Sequence, residues 1–148
     1  MKTLVLVRGG LGNQMFQVAY GEGLRQRLNA DVSFVDFSQD ARVKRDWGLS
    51  IFRVERTLLR DWKWRFVRGL VILSRRLQDQ QGVRLPQILC IEPEVGGLRS
   101  WPSVRPWIVD GYWQQASYLQ PLLPRLRTLF SVDLGAYAQG LQEWRSAQ

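Results

Sequence analysis

A glycine-rich stretch near the start of the chain is the feature that points most directly to chemistry. It reads Arg8-Gly9-Gly10-Leu11-Gly12-Asn13-Gln14 and separates a short apolar run from a segment with helical periodicity. The first N–H groups of a helix have no partner within the helix and carry the positive end of its dipole, so this position predicts an anion site. An alternative is a tight turn, capped by Asn13, that binds nothing.

The residue types of this stretch fit a phosphate ligand. Gly9, Gly10 and Gly12 allow the backbone to adopt positive φ and to approach a phosphate closely. Arg8 can pair with phosphate oxygens in a bidentate manner. The stretch is not a Walker A loop, because no Gly-Lys-Ser/Thr follows, and Met15 stands where a dinucleotide-binding pattern has its third glycine.

Two aspartates stand at the ends of apolar runs and are the candidate bases, Asp36 and Asp110. Asp36 occupies the position at which a dinucleotide-binding fold holds a ribose, which leaves a dinucleotide-binding protein as an alternative function. Asp110 opens the turn Asp110-Gly111-Tyr112-Trp113-Gln114. The alternative for that turn is a capped strand end in which Tyr112 and Trp113 only pack.

The apolar pattern predicts the elements that position these residues. Thr3–Val7 is a short apolar run of the kind that forms a strand buried on both faces, Val32–Phe37 is a second predicted strand, and a helical pattern that ends at Leu28 lies between them. A strand, helix, strand order implies parallel strands. Ile88–Ile91 and Trp107–Asp110 predict further strands. A later helical stripe comprises Leu119, Leu122, Leu123, Leu126 and Phe130. We therefore predict an α/β fold with a short parallel sheet flanked by helices.

The net charge of +8 is concentrated in one segment. Residues 42–76 hold eleven basic and three acidic side chains, whereas the rest of the chain is balanced. Within it the spacing predicts a helix over Arg56–Leu77, with one apolar stripe packed inward and the arginines opposite. The stripe comprises Leu59, Trp62, Phe66, Leu70, Leu73 and Leu77, and Trp64, Val67 and Val71 fall on or near the basic face.

Three interpretations of this basic helix stay open. The helix is a solvated surface helix, it contacts anionic lipid, or it attracts a phosphorylated partner or nucleic acid. Nucleic acid is not expected, because no nucleic-acid-binding motif accompanies the charge.

Composition excludes several classes of function. The 148 residues contain no His and a single Cys, Cys90, so the chain has no Ser-His-Asp triad, no internal disulfide and no His or Cys metal site. We expect neither a metal nor a cofactor. No apolar run approaches the roughly 20 residues that span a bilayer, and no signal peptide is evident, which predicts a cytoplasmic protein that is at most peripheral on the inner membrane face.

The motifs resemble one known family. Arg8 to Gln17, Arg-Gly-Gly-Leu-Gly-Asn-Gln-Met-Phe-Gln, is similar to the amino-terminal motif of the alpha-1,2-fucosyltransferase family, glycosyltransferase family eleven. Asp110-Gly111-Tyr112-Trp113-Gln114 resembles a second motif of that family. Trp47–Phe52 and Asp36 fall where the family has similar residues, so the likeness spans most of the chain in the correct order.

The resemblance implies a two-lobed glycosyltransferase with Rossmann-like lobes, of which residues 1–148 are the amino-terminal, acceptor-side lobe. It implies transfer of L-fucose from GDP-fucose to the 2-hydroxyl of a galactoside, with inversion and without a metal. The donor-binding candidates are Arg8, Gly9, Gly10, Gly12, Asn13 and Gln14, with Asn13 and Gln14 turned into the cleft. The acceptor-side candidates are Asp110, Tyr112 and Gln114.

The sequence also departs from the family pattern. A His-x-Arg-x-Gly-Asp-type motif, whose arginine is expected to neutralise the departing GDP, is missing from a chain without His. Glu22-Gly23 replaces Arg-Ala, and Gln115-Ala116-Ser117 replaces Ser-Glu-Lys. We therefore expect an incomplete lobe that is inactive by itself. The alternative is a catalytically dead remnant that acts as a peripheral membrane or binding module through its basic helix.

Overall fold

The computed structural model describes residues 2–38, 45–52, 54–81, 89–91 and 101–132. Its elements follow in the order β1 (Lys2–Val7), α1 (Leu11–Leu28), β2 (Asp31–Asp36), a 3₁₀ helix (Gly48–Phe52), α2 (Asp61–Gln81), β3 (Leu89–Ile91), β4 (Ile108–Asp110), α3 (Ala116–Leu119), a second 3₁₀ helix (Gln120–Leu122) and α4 (Leu123–Leu129). The fold is α/β, with a four-stranded parallel sheet flanked by helices.

The sheet has the strand order β2-β1-β4-β3. Val7 pairs with Asp36 across β1 and β2, and Val5 pairs with Val109 across β1 and β4. All strands are parallel, so the carboxyl ends of β1, β2 and β4 share one edge. Crevices outside that edge are where open α/β sheets bind ligands.

Alternation along β1 separates two apolar layers. Val5 and Val7 pack with α1, while Leu6 faces the other side of the sheet and packs with α2. The α1 layer contains a three-ring stack in which Tyr20 lies between Trp101 and Trp113, with centroids 4.7 and 3.9 Å away. These two layers hold β1 in place from both faces of the sheet, and the glycine-rich loop starts at its carboxyl end.

The basic helix differs from the prediction in its start and in its packed face. α2 begins at Asp61, and Arg56 to Arg60 precede it in extended chain that forms a parallel bridge between Thr57 and Val35. Among residues 61–77 of α2, whose side chains the structure describes, the buried ones are Val67, Val71 and Ser74. The predicted inward stripe is wrong for Trp62, Phe66 and Leu73, which are 65%, 51% and 53% exposed, whereas its members Leu59 and Leu70 are partly buried against the core.

Two prolines divide the last predicted helical stripe into three elements. Pro121 lies in the second 3₁₀ helix and Pro124 lies in the first turn of α4, where the missing N–H of proline is tolerated. Leu122 and Leu126 are buried as expected, whereas Leu123 is 43% exposed. Among the helices that the structure describes, none is both long enough and apolar enough to cross a membrane.

Candidate functional site

The two predicted motifs meet at the carboxyl edge of the sheet. Arg8 follows β1 and Asp110 ends β4, and these strands are neighbours. The Arg8 Nη2 atom lies 2.5 Å from Asp110 Oδ1, and the guanidinium carbon of Arg8 lies 5.8 Å from the centre of the Tyr112 ring. A second contact joins the motifs, since Gln114 Nε2 donates to Asn13 Oδ1 at 2.5 Å. The two motifs, assigned separately to donor and acceptor, are therefore in direct contact.

Gly9 is the loop position that requires glycine. Its φ is +84°, and a Cβ there would lie 3.0 Å from Asn13 Nδ2 and 3.4 Å from Tyr112 Cε1. Gly10 has an ordinary extended conformation (φ −70°, ψ 167°), and Gly12 lies within α1. Positive φ is therefore confined to Gly9 in this loop, and Gly10 and Gly12 do not use the conformational freedom that glycine allows.

The first turn of α1 is open to solvent. The N-cap residue is Gly10, no side chain caps the helix, and the first turn contains no acidic residue. The turn capped by Asn13 is therefore not formed; the Asn13 side-chain oxygen accepts from Gln114 instead. Gly10, Leu11 and Gly12 are exposed, and a Cβ at Gly10 or Gly12 would meet no atom within 4 Å. This arrangement leaves room for an anion beside the N–H groups at the positive end of the helix.

Gln14 is buried rather than turned toward open space, in contrast to the expectation. Its Nε2 donates to the carbonyl oxygens of Gly9 and Asp46, both at 2.8 Å, and its Oε1 accepts from Gly48 N at 3.0 Å. Only 1% of the residue is exposed. Gln14 is thus a positioning residue that fastens the segment around residues 46–48 to the glycine-rich loop.

Gln17 has a similar role that the sequence analysis did not assign. Its Oε1 accepts from the backbone N–H of Arg8 at 2.9 Å, and its Nε2 donates to Gly111 O at 3.1 Å. This fully buried amide therefore ties the end of β1 to the end of β4. The available signal was a second glutamine one helical turn after Gln14, on the face that must point inward.

Asp110 lies beneath the site between two guanidinium groups. Its side chain is fully buried, and its Oδ2 accepts from Arg75 Nη2 at 2.7 Å and from Arg75 Nε at 3.1 Å, while Arg8 faces Oδ1. Arg75 comes from α2 and was not predicted, because no local pattern links it to a residue 35 positions away. Both oxygens of Asp110 face cations, so the geometry favours a role in orienting Arg8 over proton transfer.

Asp36 occupies a separate position on the same edge. Its side chain forms an ion pair with Arg56, and its Oδ1 accepts from Ser38 N at 2.9 Å. It lines a cleft of about 690 Å³ whose other side includes Asp46 and Trp47. A ribose hydroxyl would have to displace Arg56 to reach this carboxylate, so the pairing does not favour the dinucleotide alternative.

Glu22 and Gly23, which differ from the Arg-Ala of the resembled motif, each have a packing role in the structure. Glu22 is 2% exposed and pairs with Arg25 and with Arg125, whose Nε lies 2.7 Å from Glu22 Oε2. A Cβ at Gly23 would lie 2.1 Å from Trp101 Cη2, so the absence of a side chain makes room for that ring. Both residues stabilise the packing of α1 away from the glycine-rich loop.

Comparisons with protein-family models, with curated proteins and with solved structures found no match for this chain.

Proposed function

We propose that this chain is a sugar-nucleotide-binding α/β lobe of a fucosyltransferase, a Rossmann-like half of a two-lobed enzyme. The proposed reaction moves L-fucose from GDP-fucose to the 2-hydroxyl of a galactoside. The hydroxyl oxygen attacks the anomeric carbon, the bond from that carbon to GDP breaks, and a carboxylate takes the proton of the hydroxyl. The reaction class and substrates come from the resemblance of the two motifs, and the open, uncapped start of α1 supports the proposed anion site.

The single observation that carries the proposal is that the first turn of α1 has no side-chain cap. Gly9, two residues before the helix, has the positive φ that turns the chain into it. Open helix-initial N–H groups bind phosphate through hydrogen bonds and through the helix dipole. The exposed backbone at Gly10 and Gly12 gives a diphosphate access to these groups. A sugar nucleotide presents such a diphosphate.

The neighbouring side chains suit the sugar side of the reaction. Tyr112 is 40% exposed beside Gly9, and Gln114 is exposed where its amide reaches Asn13. An aromatic face and an amide are groups that pack on and hydrogen-bond to a sugar. Of the two candidate bases, Asp110 is enclosed between guanidinium groups and Asp36 borders a cleft, where an acceptor hydroxyl would have to displace Arg56 to reach the carboxylate.

Titration calorimetry with GDP, with GDP-fucose and with guanosine tests the proposal. We expect the two diphosphates to bind and guanosine to bind much more weakly, since the helix terminus recognises the phosphates. Absence of GDP binding by the parent chain would overturn the proposal.

An isosteric charge change locates the diphosphate. Asn13→Asp keeps the acceptor for Gln114 but places a negative charge in the first turn of α1, so we expect GDP affinity to fall by about tenfold or more. Asn29→Asp is the matched control, because it makes the same change at the opposite end of the same helix. GDP binding that is unchanged in Asn13→Asp, or equally weakened in both variants, argues against this site.

A further inference from the structure

An apolar stripe on α2 is largely exposed, and its Phe66 ring also lies 5.9 Å from the Trp107 ring, measured between centroids. Trp62, Phe66 and Leu73 are 65%, 51% and 53% exposed. Their spacings of four and seven residues place them on one face of the helix, over a length of about 16 Å. Gly69 falls in the middle of this stripe and is itself exposed. We call these four residues the α2 stripe.

The opposite face of α2 holds the helix to the protein. Val67 and Val71 are each 3% exposed and pack with Leu6 and Val35 of the sheet. Arg75 reaches Asp110 from the same helix. The α2 stripe is therefore displayed by a helix that is already fixed, so contact with a partner requires no rearrangement of the core.

Exposed cations border the α2 stripe. Lys63 lies on one side of it, and Arg65 and Arg76 lie on the other. Lys63 Nζ is 5.4 Å from the centre of the Trp62 ring. Apolar and aromatic side chains flanked by Lys and Arg are typical of a helix that lies in the interfacial region of a membrane, where the rings enter the acyl boundary and the cations meet lipid phosphates.

We propose that the α2 stripe docks the chain on an anionic phospholipid bilayer, with α2 parallel to the membrane plane. The charge distribution selects this occupant. A symmetric pair of copies joined through the stripe would bring the same cations together in a chain whose net charge is +8, and like charges repel. An anionic surface supplies the opposite charge as well as an apolar layer. The proposal rests on α2 alone and is independent of the proposed enzymatic function.

Sedimentation with vesicles tests the docking. The 148-residue chain is expected to bind vesicles that contain phosphatidylglycerol and to bind phosphatidylcholine vesicles weakly, with retention that falls as salt is raised. Phe66→Ala removes an exposed ring and is expected to weaken partitioning by about tenfold. Leu123→Ala is its control, because Leu123 is 43% exposed on α4 rather than on the α2 stripe.

A charge-matched pair of variants separates local docking from net charge. Arg65→Glu with Arg76→Glu is expected to reduce binding by about fivefold for each cation removed, or more. Lys2→Glu with Arg127→Glu changes the net charge by the same amount at exposed positions outside α2 and is expected to reduce binding much less. Equal losses in both double variants would overturn the assignment to α2.

A gain of binding gives a test that cannot be confused with misfolding. A Cβ at Gly69 meets no atom within 4 Å, so Gly69→Leu adds apolar surface to the middle of the stripe without a clash. We expect vesicle affinity to rise by about fivefold. Unchanged affinity in Gly69→Leu, or stripe-dependent dimers in analytical ultracentrifugation without vesicle binding, would refute membrane docking. Inorganic phosphate that abolishes vesicle binding at constant ionic strength would show a phosphate site rather than a bilayer contact.

Discussion

The Arg8 guanidinium and the Asp110 carboxylate lie 2.5 Å apart although 102 positions separate them in the chain. Their strands are adjacent and parallel, so the pair joins the two sequence motifs at the edge of the sheet. Arg8 is 10% exposed in its side chain and Asp110 is fully buried. The burial of both partners has a direct consequence for stability.

Asp110→Asn is expected to lower the free energy of unfolding by about 2–3 kcal/mol, because it leaves the buried Arg8 cation without its counter-charge. Asp36→Asn is the matched comparison. Its partner Arg56 is 47% exposed and can be solvated, so we expect a loss of about 1 kcal/mol or less. Urea denaturation of the three proteins measures both values. Equal losses would mean that the burial of the pair does not control its contribution.

Two Gly→Ala substitutions within helices are expected to change stability in opposite directions. At Gly23 the new methyl would press on the Trp101 ring and disturb its stack with Tyr20, which predicts a loss of about 2 kcal/mol. At Gly69 the space is open, and the higher helix propensity of alanine predicts a gain of about 0.5–1 kcal/mol. Thermal unfolding of both variants provides the check. A stabilised Gly23→Ala protein would contradict the Trp101 contact.

Gly12→Ala separates ligand binding from folding. Gly12 lies in α1 without positive φ and has open space around it, so alanine is expected to stabilise the protein by about 0.5 kcal/mol. If the first-turn N–H groups hold a diphosphate, the added methyl weakens GDP binding by about tenfold. Calorimetric titration and a melting curve on the same sample compare the two effects. GDP affinity equal to that of the parent would exclude Gly12 from the site.

We expect the 148-residue chain by itself not to transfer fucose at a useful rate, even if it binds GDP-fucose. Preorganised cations that face the charge on a departing phosphate contribute several kcal/mol of transition-state stabilisation. The chain has no His and hence no His-x-Arg motif, and Arg8 is already paired with Asp110. Mass spectrometry of lactose incubated with GDP-fucose is the measurement. Robust fucosylation would show that residues within this chain suffice.

The central elements of the fold follow from the sequence because their signals are strong and local. Thr3–Val7 and Val32–Phe37 were predicted as parallel strands, and the structure has β1 and β2 within one residue of those bounds. Thr3–Val7 is a continuous apolar run, which fits a strand buried on both faces whichever way each side chain points. For a strand of this kind, the sequence pattern cannot assign the wrong face to the core, because both faces are buried.

The packed face of α2 was mispredicted because the sequence offers two apolar faces. The stripe that contains Trp62, Phe66 and Leu73 is the more apolar, and hydropathy alone favours its burial. In the structure Val67, Val71 and Ser74 are buried instead, and the two valines pack in the core cluster on the sheet. Which face packs depends on the shape of the sheet surface, and a pattern read along one helix does not contain that information.

The sequence predicted where the candidate site lies but not which contacts its residues make with one another. Arg8, Asn13, Tyr112 and Gln114 were named from the motifs, and the structure brings them together. Arg75 was missed, and Gln14 was assigned to ligand contact rather than to the loop. Each depends on partners distant in the chain, and one sequence records residue types without recording which distant residues come into contact.

The amide of Gln17 links the Arg8 N–H to the Gly111 carbonyl, two groups that directly follow β1 and β4. We therefore expect the glycine-rich loop to reach its final shape only when β4 docks on β1, a contact whose wide separation along the chain makes it entropically costly to form. The amide proton of Arg8 should consequently exchange with deuterium about as slowly as the protons of the central strands, even though exposed backbone follows it two residues later.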